Sequence, residues 1–306
     1  KGMDTRYHEK TYAHEKLIIA GASIEHMSMR LPINSGTHPK LTSEQLEKRR
    51  EEKRHFNAML DTPDPLRTAW PVSRARSEIR RIILANAWRY VDRTGHPIPP
   101  KFFTVTLAEN VPDLKTDNER INRLIKAMNR RFGNVIGGGL LKYVYAVEFQ
   151  KRGAVHYHFV LFNFPFMDRV FSRIREEVKI DRFDLRAISK TDDVERVIRY
   201  ITKYITKQAN DGRFWGQKRY SPSRELKKYI ILNDPLAIWD ILAWAEPYKK
   251  DFRVIETDYI GNINFTQYYL GDKASFNPKV FAEYTRHALE LAEKGEQITP
   301  PEERNP

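Results

Sequence analysis

The chain has 306 residues, of which 41% are hydrophobic and 12% aromatic, and this content is typical of a globular protein with a sizeable buried core. Its 53 Lys and Arg residues outnumber its 40 Asp and Glu residues, giving a formal net charge of +13 that favours nucleic acid as a partner without specifying it. Because the sequence contains no cysteine, disulfide bonds, cysteine-ligated zinc sites and thiol catalysis are excluded, and a metal site must use His, carboxylate or amide ligands.

Residues 1–100 are polar, and we predict a mostly helical, basic accessory region there. In the amphipathic segment at residues 76–91, Ile79 and Ile83 recur at helical spacing, whereas Arg80 falls on another side. One face of this helix is therefore expected to pack against the protein. Its cationic face is a solvated surface in one interpretation and a DNA contact in the other.

The pattern changes after a segment rich in glycine and proline at residues 95–100, and residues 101–232 are predicted as one core. The predicted strands are residues 102–107, 140–150, 154–163 and 183–188, and the predicted helices are residues 117–132, 167–178 and 192–208. Because helices alternate with mostly antiparallel strands, the predicted fold class is α+β, with a central antiparallel sheet flanked by helices.

Residues 233–306 are predicted as a C-terminal accessory region that packs on this core. An aromatic-rich segment at residues 237–244, two strands within residues 252–270 and a closing helix at residues 278–294 are expected there. We expect this mixed region to carry no chemistry.

Two histidines, His156 and His158, lie within an apolar strand. Because side chains alternate along a strand, both rings are expected on one face, where they could hold one metal ion. On the preceding strand Glu148 and Gln150 also share a face, and a hairpin turn near Gly153 would bring that face beside the histidines. Such a mixed set of nitrogen and oxygen ligands suits Mn²⁺ or Mg²⁺. Two hydrogen-bonded histidines without a metal would give the same pattern.

Tyr200 and Tyr204 lie four residues apart in a predicted helix, and Lys203 and Lys207 have the same spacing. Both phenols therefore project from one side of the helix, with a lysine beside each. A phenol with a pKa of about 10 is a poor nucleophile at neutral pH, but nearby lysines and a metal-bound phosphate would favour its attack. An amphipathic helix with aromatic anchors and solvated lysines is the alternative interpretation.

Basic and aromatic residues are interleaved after this helix, as they are on surfaces that bind single-stranded nucleic acid. The predicted DNA-binding residues are Arg213, Trp215, Lys218, Arg219 and Arg224. A packed, partly exposed loop is an equal alternative for this segment.

Three segments resemble, in family order, the motifs of the HUH rolling-circle replication initiators of the two-tyrosine type. Residues 102–109 (FFTVTLAE) are similar to the first motif, residues 145–163 (YAVEFQKRGAVHYHFVLFN) to the metal-binding motif and residues 200–207 (YITKYITK) to the tyrosine motif. Their joint occurrence is specific, whereas each motif alone is not. A helitron-like transposase is similar in the same motifs.

This resemblance implies that residues 101–232 form a ferredoxin-like HUH endonuclease core. The implied enzyme is a site-specific DNA endonuclease and strand transferase that initiates rolling-circle replication of a plasmid, phage or mobile element. It would nick an origin, keep a 5′-phosphotyrosine link, leave a 3′-hydroxyl for a polymerase and later rejoin the strands.

The resemblance also assigns roles to individual residues. The implied ligands of one Mn²⁺ or Mg²⁺ ion are His156, His158 and Glu148, with Gln150 as the rival third ligand. The implied nucleophiles are Tyr204 for the first cut and Tyr200 for the closing one. The residues implied to hold the phosphate or to assist the leaving group are Lys203 and Lys207.

The expected partners are single-stranded DNA and origin duplex DNA. The sequence has no GxxxxGK[ST] phosphate loop, so we expect no nucleotide cofactor and expect unwinding by a host helicase, followed by a host polymerase. No apolar run reaches the about 18 residues of a membrane span, and we expect a cytoplasmic protein without a membrane partner. The alternatives are a catalytically silent origin-binding regulator and a metal phosphoesterase without a covalent step.

Overall fold

The structure is a computed structural model that divides the chain into two compact units. It describes residues 12–34, 42–44, 47, 48, 51, 65–92, 94–107, 114–133, 139–150, 155–165, 174, 180–188, 191–208, 211–214, 218–233, 235–256, 261–270 and 290. We call Pro63–Tyr229 the middle unit, and Lys1–Thr62 together with Ile230–Pro306 the terminal unit.

The helices and strands of the described residues are numbered here in chain order. They are β1 (Tyr12–Ala20), β2 (Ser23–Asn34), α1 (Pro65–Asn86), β3 (Lys101–Leu107), α2 (Leu114–Phe132), β4 (Tyr143–Phe149), β5 (Val155–Leu161), β6 (Ile180–Ala187), α3 (Thr191–Lys207), β7 (Tyr220–Pro222), β8 (Ile230–Leu232), α4 (Pro235–Ala245), β9 (Lys249–Ile255) and β10 (Ile263–Tyr269). Short 3₁₀ turns lie at Gly212–Phe214 and Glu246–Tyr248.

The middle unit is built on a five-stranded antiparallel sheet with the strand order β6-β3-β5-β4-β7. One face of this sheet packs against α2, and the buried strand residues on that face alternate with those of the other face, as Phe103, Val105 and Tyr157 illustrate. Helix α2 presents apolar residues at helical spacing to the same core, namely Ile121, Leu124, Ile125 and Met128. Each of these large buried side chains contributes about 1.5–3 kcal/mol of hydrophobic stabilisation.

The opposite face of this sheet is covered on one side only. Helices α1 and α3 pack against each other and against β4, and α1 also packs against β7. The ion pair of Arg80 on α1 with Glu195 on α3, at 3.4 Å, joins the two helices. At the other edge of the sheet, three β6 residues on this face are exposed, namely Arg182, Asp184 and Arg186.

Asn86, at the end of α1, joins this helix to the segment before β8. Its side chain is fully buried, and its amide nitrogen donates hydrogen bonds to the carbonyl oxygens of Ile82 and Lys227 at 2.9 and 3.0 Å. Its amide oxygen accepts from the backbone N–H of Lys227 at 2.9 Å and from the Tyr90 hydroxyl at 3.2 Å. One side chain therefore satisfies four polar groups and fixes one end of α1 within the middle unit.

The terminal unit contains a second antiparallel sheet with the strand order β8-β1-β2-β10-β9. Helix α4 packs on it through a buried apolar cluster that includes Leu17, Ile24, Ile238 and Tyr268. The edge strand β9 is exposed along its whole length. Among the described residues, no helix is both long and apolar enough to span a membrane.

The predicted α+β class, with a central antiparallel sheet flanked by helices, is confirmed. Residues 12–34 depart from the predicted mostly helical region, because they form β1 and β2. The N-terminal strands pair with strands near the C-terminus, and both ends of the chain belong to the terminal unit. Such pairing between distant segments leaves no local pattern in the sequence.

Several predicted elements fall wholly or mostly outside the described residues. These are the hairpin turn near Gly153 and the helices at residues 167–178 and 278–294. The predicted packing of residues 233–306 on the core also stays a prediction.

Substituting Asn86 by Ala is expected to destabilise the middle unit by about 2 kcal/mol, because four polar groups lose their partner. Amide hydrogen exchange of β5, measured by mass spectrometry, should become about 30-fold faster where it occurs by opening of this unit. Asn264 is exposed on β10, and its replacement by Ala serves as the control with no comparable effect. Unchanged protection of β5 in the Asn86 variant would contradict this role.

Candidate active site

The antiparallel register of β4, β5 and β3 arranges polar residues in two rows across the sheet. Glu148 lies opposite His156, which in turn lies opposite Thr106. His158 lies opposite Thr104 in the next row of the same face. The alternation of side chains along β5 therefore places both histidines on the face that α3 partly covers, as predicted.

Glu148, His156 and His158 form the candidate metal centre. One ligand atom from each of the three lies within 4.8 Å of the others. The Glu148 Oε2 atom is 2.9 Å from His158 Nε2 and 4.0 Å from His156 Nδ1. His158 is buried and the other two side chains are mostly buried, so the three groups face one another in a site shielded from bulk water.

The far ring nitrogens of both histidines are held by threonines of β3. His156 Nε2 is 3.1 Å from the Thr106 hydroxyl, and His158 Nδ1 is 3.2 Å from the Thr104 hydroxyl. A metal-binding ring nitrogen must be unprotonated, so with an ion bound the other nitrogen would carry the hydrogen and donate it to the threonine. The two threonines thereby turn His156 Nδ1 and His158 Nε2 toward Glu148.

Gln150 also reaches this centre from the end of β4. Its side-chain amide lies 3.3 Å from His156 Nδ1, the ring nitrogen that faces Glu148. The amide nitrogen and oxygen of a glutamine exchange places by a simple rotation, so either can face the imidazole. Gln150 therefore remains the alternative ligand, whereas Glu148 contacts both histidines more directly.

These residues fit a divalent cation. Two imidazoles and a carboxylate form a mixed nitrogen and oxygen donor set that Mn²⁺ and Mg²⁺ accept when water or phosphate fills the other positions. The Glu148 Oε2 atom lies 2.9 and 4.0 Å from the two imidazole nitrogens, close enough for the three residues to hold one ion that would supply Lewis-acid chemistry to a phosphate.

Both tyrosines of α3 contact His158. The Tyr204 ring is stacked on the imidazole, with centroids 5.0 Å apart and an interplanar angle of 14°. The Tyr200 ring meets the same imidazole edge-on at 5.4 Å, and the two tyrosine rings are 4.8 Å apart. Tyr204 is half-buried, whereas Tyr200 is 42% exposed. Both phenols therefore lie beside the candidate metal centre, on one side of α3.

The surroundings of Tyr204 oppose its ionisation. Burial raises the pKa of this phenol above its usual value, and a hydrogen bond with Tyr200 and the negative charge of Glu148 raise it further. The phenol is therefore protonated at neutral pH, and its attack on a phosphate requires a nearby positive charge.

Phe102, on β3, completes an aromatic cluster at the site. Its ring is parallel to that of His158 at 5.9 Å and meets the Tyr200 ring edge-on at 5.5 Å. The contact supports the more exposed of the two tyrosines. The sequence predicts strand β3 but no role for Phe102 or for the two threonines. The alternation of side chains along β3, which puts residues 102, 104 and 106 on one face, is the pattern that could have indicated them.

Gln208 fixes the end of α3 to the strand that carries Glu148. Its amide oxygen accepts the backbone N–H of Phe149 at 3.2 Å, and its amide nitrogen donates to the carbonyl oxygen of the same residue. The side chain thus takes the place of a neighbouring strand beside β4. This contact keeps α3 at a fixed position relative to the candidate ligand Glu148, and no sequence motif indicated it.

Lys203 and Lys207 are exposed on α3. The buried residues of α3, such as Ile201 and Ile205, lie on the opposite side of the helix from these lysines. Both ammonium groups are therefore available on the side where the tyrosines meet solvent. Their role with a phosphate stays a prediction.

Two predicted DNA-binding residues contribute to local structure after α3. Arg213 is ion-paired with Asp211 at 2.6 Å, and its guanidinium lies 3.9 Å from the centre of the Phe149 ring. Arg219 donates a hydrogen bond to the Gln208 carbonyl oxygen and lies 4.5 Å from the Phe214 ring centre. Burial lowers the pKa of Arg219.

The remaining predicted DNA-binding residues differ from these two. Lys218 and Arg224 are exposed, and Trp215 lies outside the described residues. The backbone carbonyl oxygen of Arg224 accepts a hydrogen bond from Lys142 at 3.4 Å, and the Arg224 guanidinium takes no part in this contact. A DNA-binding role for this segment stays a prediction.

Replacing Thr106 or Thr104 by Val, which has nearly the same shape, is expected to weaken Mn²⁺ binding about tenfold, because each histidine loses the group that orients it. Isothermal titration calorimetry with Mn²⁺ in the absence of DNA measures this directly. Thr266, on β10 of the terminal unit, is a buried strand threonine whose replacement by Val serves as a control. Equal Mn²⁺ affinity in all three variants and the wild type would show that the threonines do not orient the ligands.

Comparison with known proteins gives one match. Residues 100–209 match the family model described as replication-associated protein ORF2/G2P, whereas no curated protein and no solved structure matched the chain. The matched segment runs from β3 to the end of α3 and includes the candidate metal centre and both tyrosines. This part of the chain is therefore similar to replication-associated proteins.

Proposed function

We propose that this protein is a replication initiator of the HUH two-tyrosine type, which nicks single-stranded DNA at an origin and later rejoins it. The observation that carries the proposal is the contact of both tyrosine rings with His158. The same histidine is 2.9 Å from Glu148 in the candidate metal centre. A nucleophile and a site for a phosphate-binding ion thus meet at one side chain.

The proposed reaction is a transesterification at phosphorus. The phenol oxygen of Tyr204 attacks the scissile phosphate, the bond from phosphorus to the 3′-oxygen breaks, and a 5′-phosphotyrosine forms. The phenol gives up its proton, and the leaving 3′-oxygen gains one to become a hydroxyl. Because one phosphodiester replaces another, a later attack by a 3′-hydroxyl can rejoin the strand.

A divalent ion held by Glu148, His156 and His158 would act as a Lewis acid on the phosphate and neutralise the carboxylate that raises the Tyr204 pKa. Thr104 and Thr106 keep the ligand nitrogens turned toward this centre. The stacking of Tyr204 on His158 holds the phenol against the centre before DNA arrives.

The two tyrosines occupy different environments, and this difference supports separate roles. Tyr204 lies flat on the histidine and is the less exposed, which suits the first cut. Tyr200 is more exposed and stands edge-on, which suits attack on a second phosphate when the strands are closed. Lys203 and Lys207 would bind the phosphate or assist the leaving group.

The proposed substrate is the origin of a plasmid, phage or mobile element, bound first as duplex and cut as a single strand. In the cytoplasm, a host helicase would unwind the duplex and a host polymerase would extend the exposed 3′-hydroxyl. The net charge of +13 supports attraction to the DNA backbone.

Replacing Tyr204 and Tyr200 together by Phe should abolish the covalent adduct with single-stranded origin DNA, a loss of at least about 10³-fold in rate. Tyr204→Phe alone should slow the first cut more than Tyr200→Phe, because Tyr204 is stacked on His158. Denaturing gel electrophoresis with 5′-labelled and 3′-labelled oligonucleotides measures the adduct. Binding should be retained, since both rings remain.

A control variant for this test is Tyr220→Phe, which removes a phenol on β7 in the same unit and should leave the adduct unchanged. An undiminished adduct in the double variant would overturn the tyrosine assignment. Metal-dependent cleavage by the double variant without any adduct would instead support a phosphoesterase.

Glu148→Gln is expected to weaken Mn²⁺ binding by at least about tenfold and to reduce cleavage, because a neutral amide replaces the carboxylate between the two histidines. Calorimetry gives the affinity, and adduct formation against Mn²⁺ concentration gives the activity. Origin DNA binding without Mn²⁺ should stay the same. If cleavage by Glu148→Gln equals that of the wild type, Glu148 is not a ligand and Gln150 becomes the third ligand.

A further inference from the structure

On the sheet face that carries both histidines, the edge strand β6 is open toward solvent, whereas β3 is partly covered. Helices α1 and α3 pack against β4, on the other side of the histidines. On β3 the side chains that share the histidine face are Phe102, Thr104 and Thr106. Directly opposite them on β6 are Arg186, Asp184 and Arg182, all of them exposed.

Arg182 stands in the same row of the sheet as part of the metal centre. The row runs from Glu148 through His156 and Thr106 to Arg182. Neighbouring strands are about 4.8 Å apart, so the backbones of Arg182 and His156 are about 10 Å apart. An arginine side chain is long enough to span part of this distance, so the Arg182 guanidinium can reach a phosphate beside the candidate metal centre.

The guanidinium of Arg182 is available for an anion. Within the described part of the chain, Arg182 makes no ion pair. Arg186, four residues along the same strand and on the same face, is by contrast paired with Asp184 at 2.8 Å. Both arginines are exposed on the same face of β6, but only the charge of Arg186 is neutralised by a neighbouring carboxylate.

The other wall of this open region is α3. Arg199 and Lys203 are exposed on α3, and each immediately precedes one of the two tyrosines. A single DNA strand whose scissile phosphate meets Tyr204 would thus pass between cations of α3 and the cation of β6, over a floor of Phe102 and threonine side chains. Such a basic groove with an aromatic floor suits a single-stranded nucleic acid.

We propose that Arg182 binds a phosphate flanking the scissile phosphate, and so fixes the path of the single strand across β3 and β6. This inference rests on the proposed nicking function, because the scissile phosphate defines the position. A guanidinium suits the role, since its planar array of donors matches two phosphate oxygens at once and it stays charged at every working pH. The alternative is that Arg182 only keeps the edge strand solvated and unpaired.

The first test measures binding of a short fluorescent single-stranded DNA of mixed sequence to Arg182→Gln at several salt concentrations. The loss of one phosphate contact should weaken binding about tenfold and reduce the slope of log affinity against log salt by about 0.7. Arg186→Gln is the matched control on the same strand, and its slope should change less because Asp184 already neutralises that charge. Arg123→Gln, on α2 across the sheet, should bind like the wild type.

The second test locates the phosphate. In the oligonucleotide that the protein cleaves, each phosphate near the cut is replaced in turn by an uncharged methylphosphonate. One flanking position should weaken wild-type binding about tenfold, and the same position should make no further difference to Arg182→Gln. If Arg182→Gln keeps the wild-type sensitivity at every position and the wild-type salt slope, the proposal is overturned and the edge-solvation role is supported.

The two tests separate this inference from the proposed function. If the wild type forms no covalent adduct with any DNA, the nicking function fails, yet the salt slope of Arg182→Gln still decides whether Arg182 contacts a phosphate. If the adduct forms normally in Arg182→Gln with an unchanged slope, nicking stands and the Arg182 contact is excluded.

Discussion

The register between β4, β5 and β3 is the constraint on which the candidate site depends. It places Glu148 beside His156 and sets a threonine of β3 behind each histidine ring. A shift by one residue would turn all of these side chains to the α2 face, where they would replace Tyr157 and Phe159 in the apolar core. Burying charged groups there without partners would cost several kcal/mol, so the core that stabilises the fold also keeps the metal centre in register.

A second requirement is that the tyrosine helix keeps its position on this face. Helix α3 packs against α1 and β4. At the C-terminal end of α3, Gln208 is hydrogen-bonded to the backbone of Phe149, next to Glu148. The segment that follows is itself anchored by the Asp211 to Arg213 ion pair and by Arg219. The phenols and the candidate metal centre are therefore already aligned before DNA binds, which lowers the entropic cost of bringing the reacting groups together.

The sequence predicted those parts of the site that follow from local periodicity. Alternation along β5 was enough to put His156 and His158 on one face, and the four-residue spacing put both tyrosines on one side of α3. The threonine contacts depend on which strands are neighbours, and β3 pairs with β5 and β6 across long stretches of chain. For the same reason β1 and β2 were not foreseen. The sequence pattern predicts that Arg213 and Arg219 bind DNA, because their partners, Asp211 and the Gln208 carbonyl oxygen, become apparent only when the chain is folded.

The proposed function requires a covalent step at the tyrosine helix, and identification of the DNA-linked peptide tests for that step. The protein is incubated with Mn²⁺ and a labelled pool of single-stranded DNA, denatured and digested, and the peptide that carries DNA is identified by mass spectrometry. The proposed function predicts that a nucleotide is attached to a peptide containing Tyr204 or Tyr200, and that this adduct forms only when Mn²⁺ is present. Cleaved DNA with free 5′ ends and no nucleotide on that peptide would contradict it.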